Sequence, residues 1–98
     1  MFSIKRTRQF DTWFAGLRDM SVKVRLARRL ERASHGPLGD VEPVGSGVSE
    51  MREHFGAGWR MYFVKRGAVL VVMLGGGTKA TQQRDVGRAI KLAATIED

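Results

Sequence analysis

Hydrophobic residues recur with two different spacings along this chain, and the changes of spacing mark its elements. Phe2 and Ile4 alternate with polar residues, which predicts a short first strand with both side chains on one face. Apolar residues then follow at helical spacing, from about residue 7 to 17 and again from Val22 to Ala33. Because only a short break joins these two amphipathic helices, we expect them to form an antiparallel hairpin.

The second half of the chain is dominated by strand-like runs between glycine turns. Residues 34–49 hold both prolines and show neither spacing, which indicates a long loop. Strands are predicted at 48–54, 59–66 and 69–74, and the last of these is apolar throughout, as is typical of a strand buried on both faces. An amphipathic helix from 82 to about 96 ends the chain.

This order of elements predicts one α+β domain over residues 1–98. A first strand and a helical hairpin precede an antiparallel meander, and a C-terminal helix follows it. Gly75–Gly77 lacks the spacing of a phosphate-binding loop. We interpret these glycines as a sharp turn from strand to helix, with Thr81 as the helix cap.

The composition excludes several kinds of site. The chain has no cysteine, which leaves neither a disulfide framework nor a thiolate metal site. Its two histidines are too few and too isolated to indicate zinc, so we predict no metal and no cofactor. The longest apolar run is too short for a membrane helix, and charges occupy the place where a signal peptide needs its apolar segment. These features predict a cytoplasmic protein without membrane attachment.

The net charge of +7 is spread unevenly along the chain. Residues 1–34 carry nine basic and three acidic side chains, residues 35–58 carry one and four, and residues 59–98 carry seven and three. A basic domain of this size favours a polyanionic partner, either nucleic acid or an acidic protein segment. For most of the helical charges, we favour the simpler explanation that basic side chains solvate the two amphipathic helices.

Alternate positions of the first two meander strands carry polar side chains that could act on RNA. RNA is cut without a metal when its own 2′-hydroxyl attacks the adjacent phosphate, which requires proton transfer and cations. Arg52 and Arg60 could clamp that phosphate, and Lys79 could be a third cation, or a base if burial among arginines lowered its pKa. Tyr62 offers a stacking surface and His54 a titratable group.

Each of these side chains also has a purely structural interpretation. The two arginines could form a cross-strand ion-pair ladder with Glu50 or Glu53. Tyr62 could close the edge of the core, and His54, beside a glycine-rich turn, could be an ordinary solvated histidine.

Six segments share their order and spacing with one protein superfamily. They are 13–19 (WFAGLRD), 25–30 (RLARRL), 39–45 (GDVEPVG), 47–52 (GVSEMR), 56–63 (GAGWRMYF) and 76–86 (GGTKATQQRDV). Together they span nearly the whole chain and resemble the RelE/ParE superfamily of type II toxin–antitoxin toxins, in particular the HigB-like addiction module killer proteins.

The resemblance implies a compact sheet with an N-terminal helical hairpin. It also implies a toxin that cleaves mRNA on the ribosome, an endoribonuclease that inhibits translation and is neutralised by a helix-turn-helix antitoxin. Operator DNA would be contacted only through that antitoxin, an acidic or amphipathic segment of which should lie on the helical hairpin or across the sheet edge. A ParE-like poison of DNA gyrase and a non-catalytic, autoregulatory antitoxin-binding module are the alternatives.

Site residues carry over where the sequence matches the family's motifs. Arg60 falls in the Gly-aromatic-Arg strand motif, whose arginine engages the scissile phosphate in RelE-like members. Positions that fit the Lys-x-x-Gln-x-x-Asp pattern are Lys79, Gln82 and Asp85, and Glu50 and Arg52 fit the Glu-Leu-Arg pattern, with Met51 in place of the leucine. We therefore expect Arg60, Lys79 and Arg52 to be catalytic, Gln82 to bind RNA together with Tyr62 and His54, and Glu50 and Asp85 to support the site.

The chain departs from the family's pattern in three places. Glu42 stands where many relatives carry lysine, which reverses a charge beside the expected RNA face. Trp59 replaces a tyrosine. No aromatic residue or histidine follows Phe63, whereas several active members place one in or after the last helix. The matched motifs therefore supply cations but not an obvious general acid.

Overall fold

A five-stranded mixed sheet, with helices on both faces, forms the protein in a computed structural model that describes residues 1–96. The elements are β1 (Ser3–Arg6), α1 (Arg8–Ala15), α2 (Met20–His35), β2 (Val41–Gly45), β3 (Val48–Arg52), β4 (Trp59–Arg66), β5 (Leu70–Thr78), a 3-10 turn (Lys79–Thr81) and α3 (Gln82–Thr95). The strand order is β1-β5-β4-β3-β2. β1 runs parallel to β5, and every other pair is antiparallel. The predicted α+β layout is confirmed.

Short polar side chains start both N-terminal helices. The Thr7 hydroxyl accepts a hydrogen bond from the Phe10 amide at 3.1 Å, and it donates one to the Met73 carbonyl at 2.8 Å. One side chain therefore caps α1 and ties its start to β5. Asp19 caps α2 by accepting from the Ser21 amide at 2.9 Å.

The sheet separates two apolar clusters. α1 and α2 cover one face, where the buried residues are Phe10, Val22, Leu26, Leu30, Ala33, Met51, Met61, Phe63, Val71 and Met73. α3 covers the other face, where they are Val48, Tyr62, Val64, Val72, Leu74, Ala89 and Ala93. Phe2 and Ile4 both pack against the first cluster, as their alternation predicts. Within residues 1–96, no helix is long and apolar enough to cross a membrane.

The loop predicted over residues 34–49 is wrong for its second half, because Val41–Gly45 forms strand β2 against β3. Pro43 lacks an amide hydrogen and so argues against a central strand. β2 lies at the edge of the sheet, where only one side of the strand needs partners, and the pairing becomes irregular directly after Pro43.

The predicted turn at Gly75–Gly77 is also wrong, because β5 continues through these glycines to Thr78. Two of them, Gly76 and Gly77, allow close approach of side chains rather than a change of direction. A Cβ added at Gly76 would lie 2.3 Å from the Trp13 ring, and one at Gly77 would lie 1.9 Å from the Asp85 carboxylate. Helices on both faces can therefore rest directly on the backbone of β5.

Candidate functional site

The polar side chains predicted to share a sheet face do share one. Arg52 lies opposite Arg60 across β3 and β4, and Glu50 lies opposite Tyr62 one row further along. The face they occupy is the one that α3 covers, since Tyr62 belongs to the α3 cluster. α3 therefore decides which of these side chains can meet a ligand.

The row of Glu50 and Tyr62, beneath the start of α3, is buried and inaccessible to a ligand. Glu50 is 2% exposed, and its two carboxylate oxygens accept from the Gln82 amide at 2.9 and 3.0 Å. Gln82, expected to bind RNA, thus holds a buried carboxylate through its amide nitrogen. The support role expected for Glu50 agrees with this arrangement, because its side chain ties β3 to α3.

Tyr62 is 0% exposed, so the prediction that its ring offers a stacking surface is wrong. Tyr62 belongs to the apolar cluster beneath α3, so its role is structural, as the alternative interpretation expected, but it lies within the core rather than at its edge. Desolvation, with smaller contributions from the Glu50 and Asp85 carboxylates, raises the pKa of the Tyr62 hydroxyl. A phenol held neutral in this way cannot act as a base.

Asp85 supports the junction between β5 and α3. It is buried, and the Thr81 hydroxyl donates to its Oδ2 at 2.5 Å. The Arg84 guanidinium lies 3.4 Å from Oδ1. Thr81 does occupy the N-cap position of α3, but its side chain makes no capping hydrogen bond to that helix. Its hydroxyl is used by Asp85 and Thr78 instead.

Arg60 is buried among acceptors from its own protein. Its Nη1 donates to the Glu53 carbonyl at 3.2 Å and the Trp59 carbonyl at 3.1 Å. Its Nε lies 3.6 Å from Glu50 Oε2 and has no hydrogen-bond acceptor within residues 1–96. The ion-pair interpretation of Arg60 and Glu50 is confirmed.

The exposed part of the site lies at the end of β3. Arg52 Nη2 donates to Asp40 Oδ1 at 2.9 Å, and its guanidinium also lies 3.8 Å from the Glu42 carboxylate. The other Asp40 oxygen lies 2.6 Å from Nε2 of His54, whose side chain is 70% exposed. Hydrogen bonds, first from Arg52 and then from His54, lower the pKa of Asp40 to about 2. Asp40 therefore stays ionised and can orient the imidazole.

Asp40 is the site residue that sequence reasoning missed. The available signal was the acidic excess of residues 35–58, where four carboxylates surround the lone Arg52. Because the sequence predicts a loop over residues 34–49, it gives no position for Asp40 relative to β3. The strand β2 that follows Asp40 brings it to the end of β3.

Lys79 joins the same end of the sheet from the other side. Gly58, with a φ of +75°, separates it from Arg60: a Cβ at Gly58 would lie 3.2 Å from Lys79 Cβ and 3.7 Å from Arg60 Nη1. Lys79 is exposed, so the burial that would make it a base is absent. It remains a cation facing solvent.

A buried arginine from α2, also missed, fixes the position of this group. Arg29 Nη2 donates to the Asp40 carbonyl at 2.9 Å, and Nη1 donates to the Arg52 carbonyl at 2.8 Å. Nη1 also pairs with the Glu53 carboxylate. Among residues 1–96, no group of three or more histidine, cysteine or acidic side chains could hold a metal ion.

One comparison with known proteins finds a relative of nearly the same length. An uncharacterized protein of Haemophilus influenzae is 38% identical over 93 residues, which covers 95% of this chain and 94% of that protein. The chain belongs to the same family as this protein. No family model matches the chain, and no solved structure matches it.

Proposed function

We propose that this protein is the toxin of a type II toxin–antitoxin system, and that it cleaves mRNA on the ribosome in the cytoplasm. A helix-turn-helix antitoxin would neutralise it and carry the complex to operator DNA. The proposal is supported by the six matched segments, which resemble RelE/ParE toxins. The order of strand, two helices, antiparallel strands and final helix agrees with the fold that this resemblance implies.

The observation that carries the proposal is a set of neighbouring side chains at one end of the sheet, which we call the cation row. It runs from the hydrogen-bonded pair of His54 and Asp40 through Arg52 and Arg60 to Lys79. It places the His54 imidazole beside the Arg52 guanidinium, and Arg60 and Lys79 follow further along this end of the sheet. An imidazole can transfer a proton, and cations can stabilise the negative charge that develops on the phosphate during RNA transesterification.

In the proposed reaction the 2′-hydroxyl oxygen attacks the adjacent phosphorus, and the bond from phosphorus to the 5′-oxygen breaks. Neutral His54, oriented by Asp40, takes the 2′-hydroxyl proton, and solvent water protonates the leaving 5′-oxygen. The products are a 2′,3′-cyclic phosphate and a 5′-hydroxyl end. Arg52 and Lys79 bind the phosphate oxygens from the solvent side, while buried Arg60 adds positive charge beneath them.

Acidic neighbours limit how strongly the cation row can hold a phosphate. Arg52 already donates to Asp40 and lies within 3.8 Å of Glu42, where related toxins often carry lysine. A phosphate must compete with both carboxylates. Cleavage is therefore expected to depend on the ribosome, which would position the message, rather than on tight binding of free RNA.

Transcript mapping in cells tests the proposal. The protein is expressed with and without the protein encoded by the neighbouring gene, and the 5′ ends of cellular transcripts are sequenced. We expect new 5′-hydroxyl ends within translated regions, and their loss when the neighbour is co-expressed. Growth arrest with intact transcripts would contradict the endonuclease.

The neutralised arginines favour one second candidate, a ParE-like poison of DNA gyrase, because that activity needs no RNA-cleaving group. Arg60 is buried against Glu50, and Arg52 is held by Asp40. Induction of the DNA-damage response, together with rescue of growth by a poison-resistant gyrase, would establish this alternative. Neither arrest nor transcript cleavage would leave an antitoxin-binding module without catalysis.

A further inference from the structure

One side of β5 is paired over only half of its length. β1 pairs with Leu70–Met73, and the Thr7 amide then donates to the Met73 carbonyl at 3.1 Å before the chain enters α1. Within residues 1–96, no strand lies beside Leu74–Thr78 on that side. This segment is therefore an open sheet edge.

The hydrogen bonds of the neighbouring strand β4 show in which direction the backbone N–H and C=O groups at this edge point. The Trp59 carbonyl accepts from the Glu53 amide at 2.9 Å, so Trp59 points its backbone groups toward β3. Met61, two residues further along β4, points the same way. Gly76 lies opposite Met61 and therefore directs its N–H and C=O away from β4, toward the open edge. The β4 ladder therefore leaves both groups without a partner, and no turn, loop or side chain among residues 1–96 forms a hydrogen bond with them.

Helices on both faces turn this edge into a groove of about 970 Å³. α1 forms one wall with Thr12 and Trp13, α3 forms the other with Leu92, and Leu74–Thr78 is the floor. The Trp13 ring lies directly on Gly76, at a distance that leaves no room for a Cβ there. The floor from Leu74 to Gly77 thus offers only an apolar side chain and backbone groups, and Thr78 adds a hydroxyl at its end.

The rim of the groove is basic. Arg8, Arg84 and Arg88 line it and are exposed. Among residues 1–96, Asp85 is the single carboxylate of the lining, and it is buried and accepts a hydrogen bond from the Thr81 hydroxyl at 2.5 Å. An occupant that carries negative charge on its outer side would be attracted to this rim.

We propose that this groove, the β5-edge groove, binds an extended acidic segment of a partner protein, which adds to the sheet as a further strand beside Gly76. A peptide backbone supplies the acceptor and donor that Gly76 lacks. Because successive side chains of a strand point to opposite faces, apolar side chains at alternate positions would contact Trp13 on α1, and acidic side chains at the other positions would face Arg84 and Arg88 on α3. A nucleic acid strand would meet the same arginines but would leave the Gly76 donor and acceptor without a matching backbone. Binding here does not depend on whether the protein cleaves RNA.

The test uses the full-length protein and a displayed library of random decapeptides. Enriched peptides are synthesised and titrated into protein labelled with nitrogen-15 at glycine. We expect sequences that alternate apolar and acidic residues. We also expect a shifted Gly76 amide whose hydrogen exchange slows on binding, and loss of binding when alternate peptide amides are N-methylated.

Charge reversal distinguishes the groove from the remainder of the basic surface. Arg88→Glu should weaken binding of the enriched peptide by roughly tenfold or more. Arg28→Glu, at an exposed position on α2 away from the groove, is the matched control and should leave binding unchanged.

Several results would overturn the inference. Enriched peptides that bind as helices, that leave the Gly76 amide unmoved, or that respond equally to both substitutions would each do so. A ten-nucleotide oligouridine that shifts Gly76 when no peptide does would make the groove a site for single-stranded nucleic acid instead. RNA cleavage is measured separately for Arg88→Glu and should persist, so failure of this inference is distinct from failure of the proposed endonuclease.

Discussion

Alanine at position 76 tests whether Trp13 packs directly on the backbone of β5. The added Cβ would lie 2.3 Å from Trp13 Cη2 and 2.5 Å from Cζ2 and Cζ3. Carbon atoms in contact are normally about 3.5–4.0 Å apart, so the ring must move by more than about 1 Å. It cannot do so freely, because it also packs on Phe10 and Trp59 with ring centroids at 5.6 and 6.5 Å.

The cost follows from two opposing effects. Forcing an extra carbon atom into packed surroundings costs about 1–3 kcal/mol. Replacing glycine by alanine also restricts the unfolded chain, which stabilises the folded state by about 0.4–1 kcal/mol. Gly75→Ala is the matched control, because a Cβ at Gly75 meets nothing within 4 Å. The unfolded-state effect cancels between the two variants, so Gly76→Ala should be less stable than Gly75→Ala by about 1–3 kcal/mol.

Urea unfolding followed by circular dichroism measures this difference. In a domain of this size, 1 kcal/mol corresponds to a melting temperature change of about 4–8 °C, which gives an independent check. Trp13→Phe removes ring atoms at the point of conflict and should reduce the cost of Gly76→Ala in a double-mutant cycle. Equal stability of Gly75→Ala and Gly76→Ala would refute the contact and, with it, the described wall of the β5-edge groove.

Three further predictions concern the cation row and the arginine behind it. His54→Gln should slow RNA cleavage by about 100-fold or more in a single-turnover assay, whereas His35→Gln, at the other exposed histidine, should have no effect. If the two variants cleave RNA at the same rate, His54 takes no part in the reaction. Arg29→Met should lower the free energy of unfolding by about 3–5 kcal/mol, because it leaves the Glu53 carboxylate without its cation. Adding Glu53→Gln should recover part of this loss. No measurable loss would show that Arg29 does not fix the position of the site. The pKa of Asp40 is lowered to about 2, so its contribution to stability is complete above its unfolded pKa near 4 and is lost as the pH falls toward 2. Asp40→Asn should remove that part of the pH dependence of the free energy of unfolding. An unchanged pH dependence would contradict the hydrogen bonds described.

The apolar periodicity was sufficient to predict most of the fold. Strand β4 begins and ends at the predicted residues, and α1, α2 and α3 lie where the helical spacing places them. The errors occurred at glycine and proline residues, which are found in more than one structural context. Pro43 lies in an edge strand, and Gly76 and Gly77 leave room for a tryptophan ring and a carboxylate instead of forming a turn. Which use applies depends on packing from distant elements, which the local sequence does not contain.

The candidate site could be predicted only in part, for the same reason. Alternation correctly placed Arg52, Arg60 and Tyr62 on one face, but it could not show that α3 covers that face and buries Tyr62. Likewise, the hydrogen-bond partner of His54 directly precedes β2, a strand that the sequence did not predict. That partner, Asp40, is 14 residues away in sequence and 2.6 Å away in space.

Cleavage of a defined message by the purified protein tests the central claim most directly. Ribosomes programmed with one mRNA are incubated with the protein, and the RNA ends are mapped; the same message is then prepared with a 2′-deoxynucleotide on the 5′ side of the cut. We expect cleavage of the all-ribose message only on ribosomes, with a 5′-hydroxyl on the downstream fragment, and no cleavage at the deoxy position. Translation arrest with a full-length message, or cleavage that persists at the deoxy position, would contradict the proposed function.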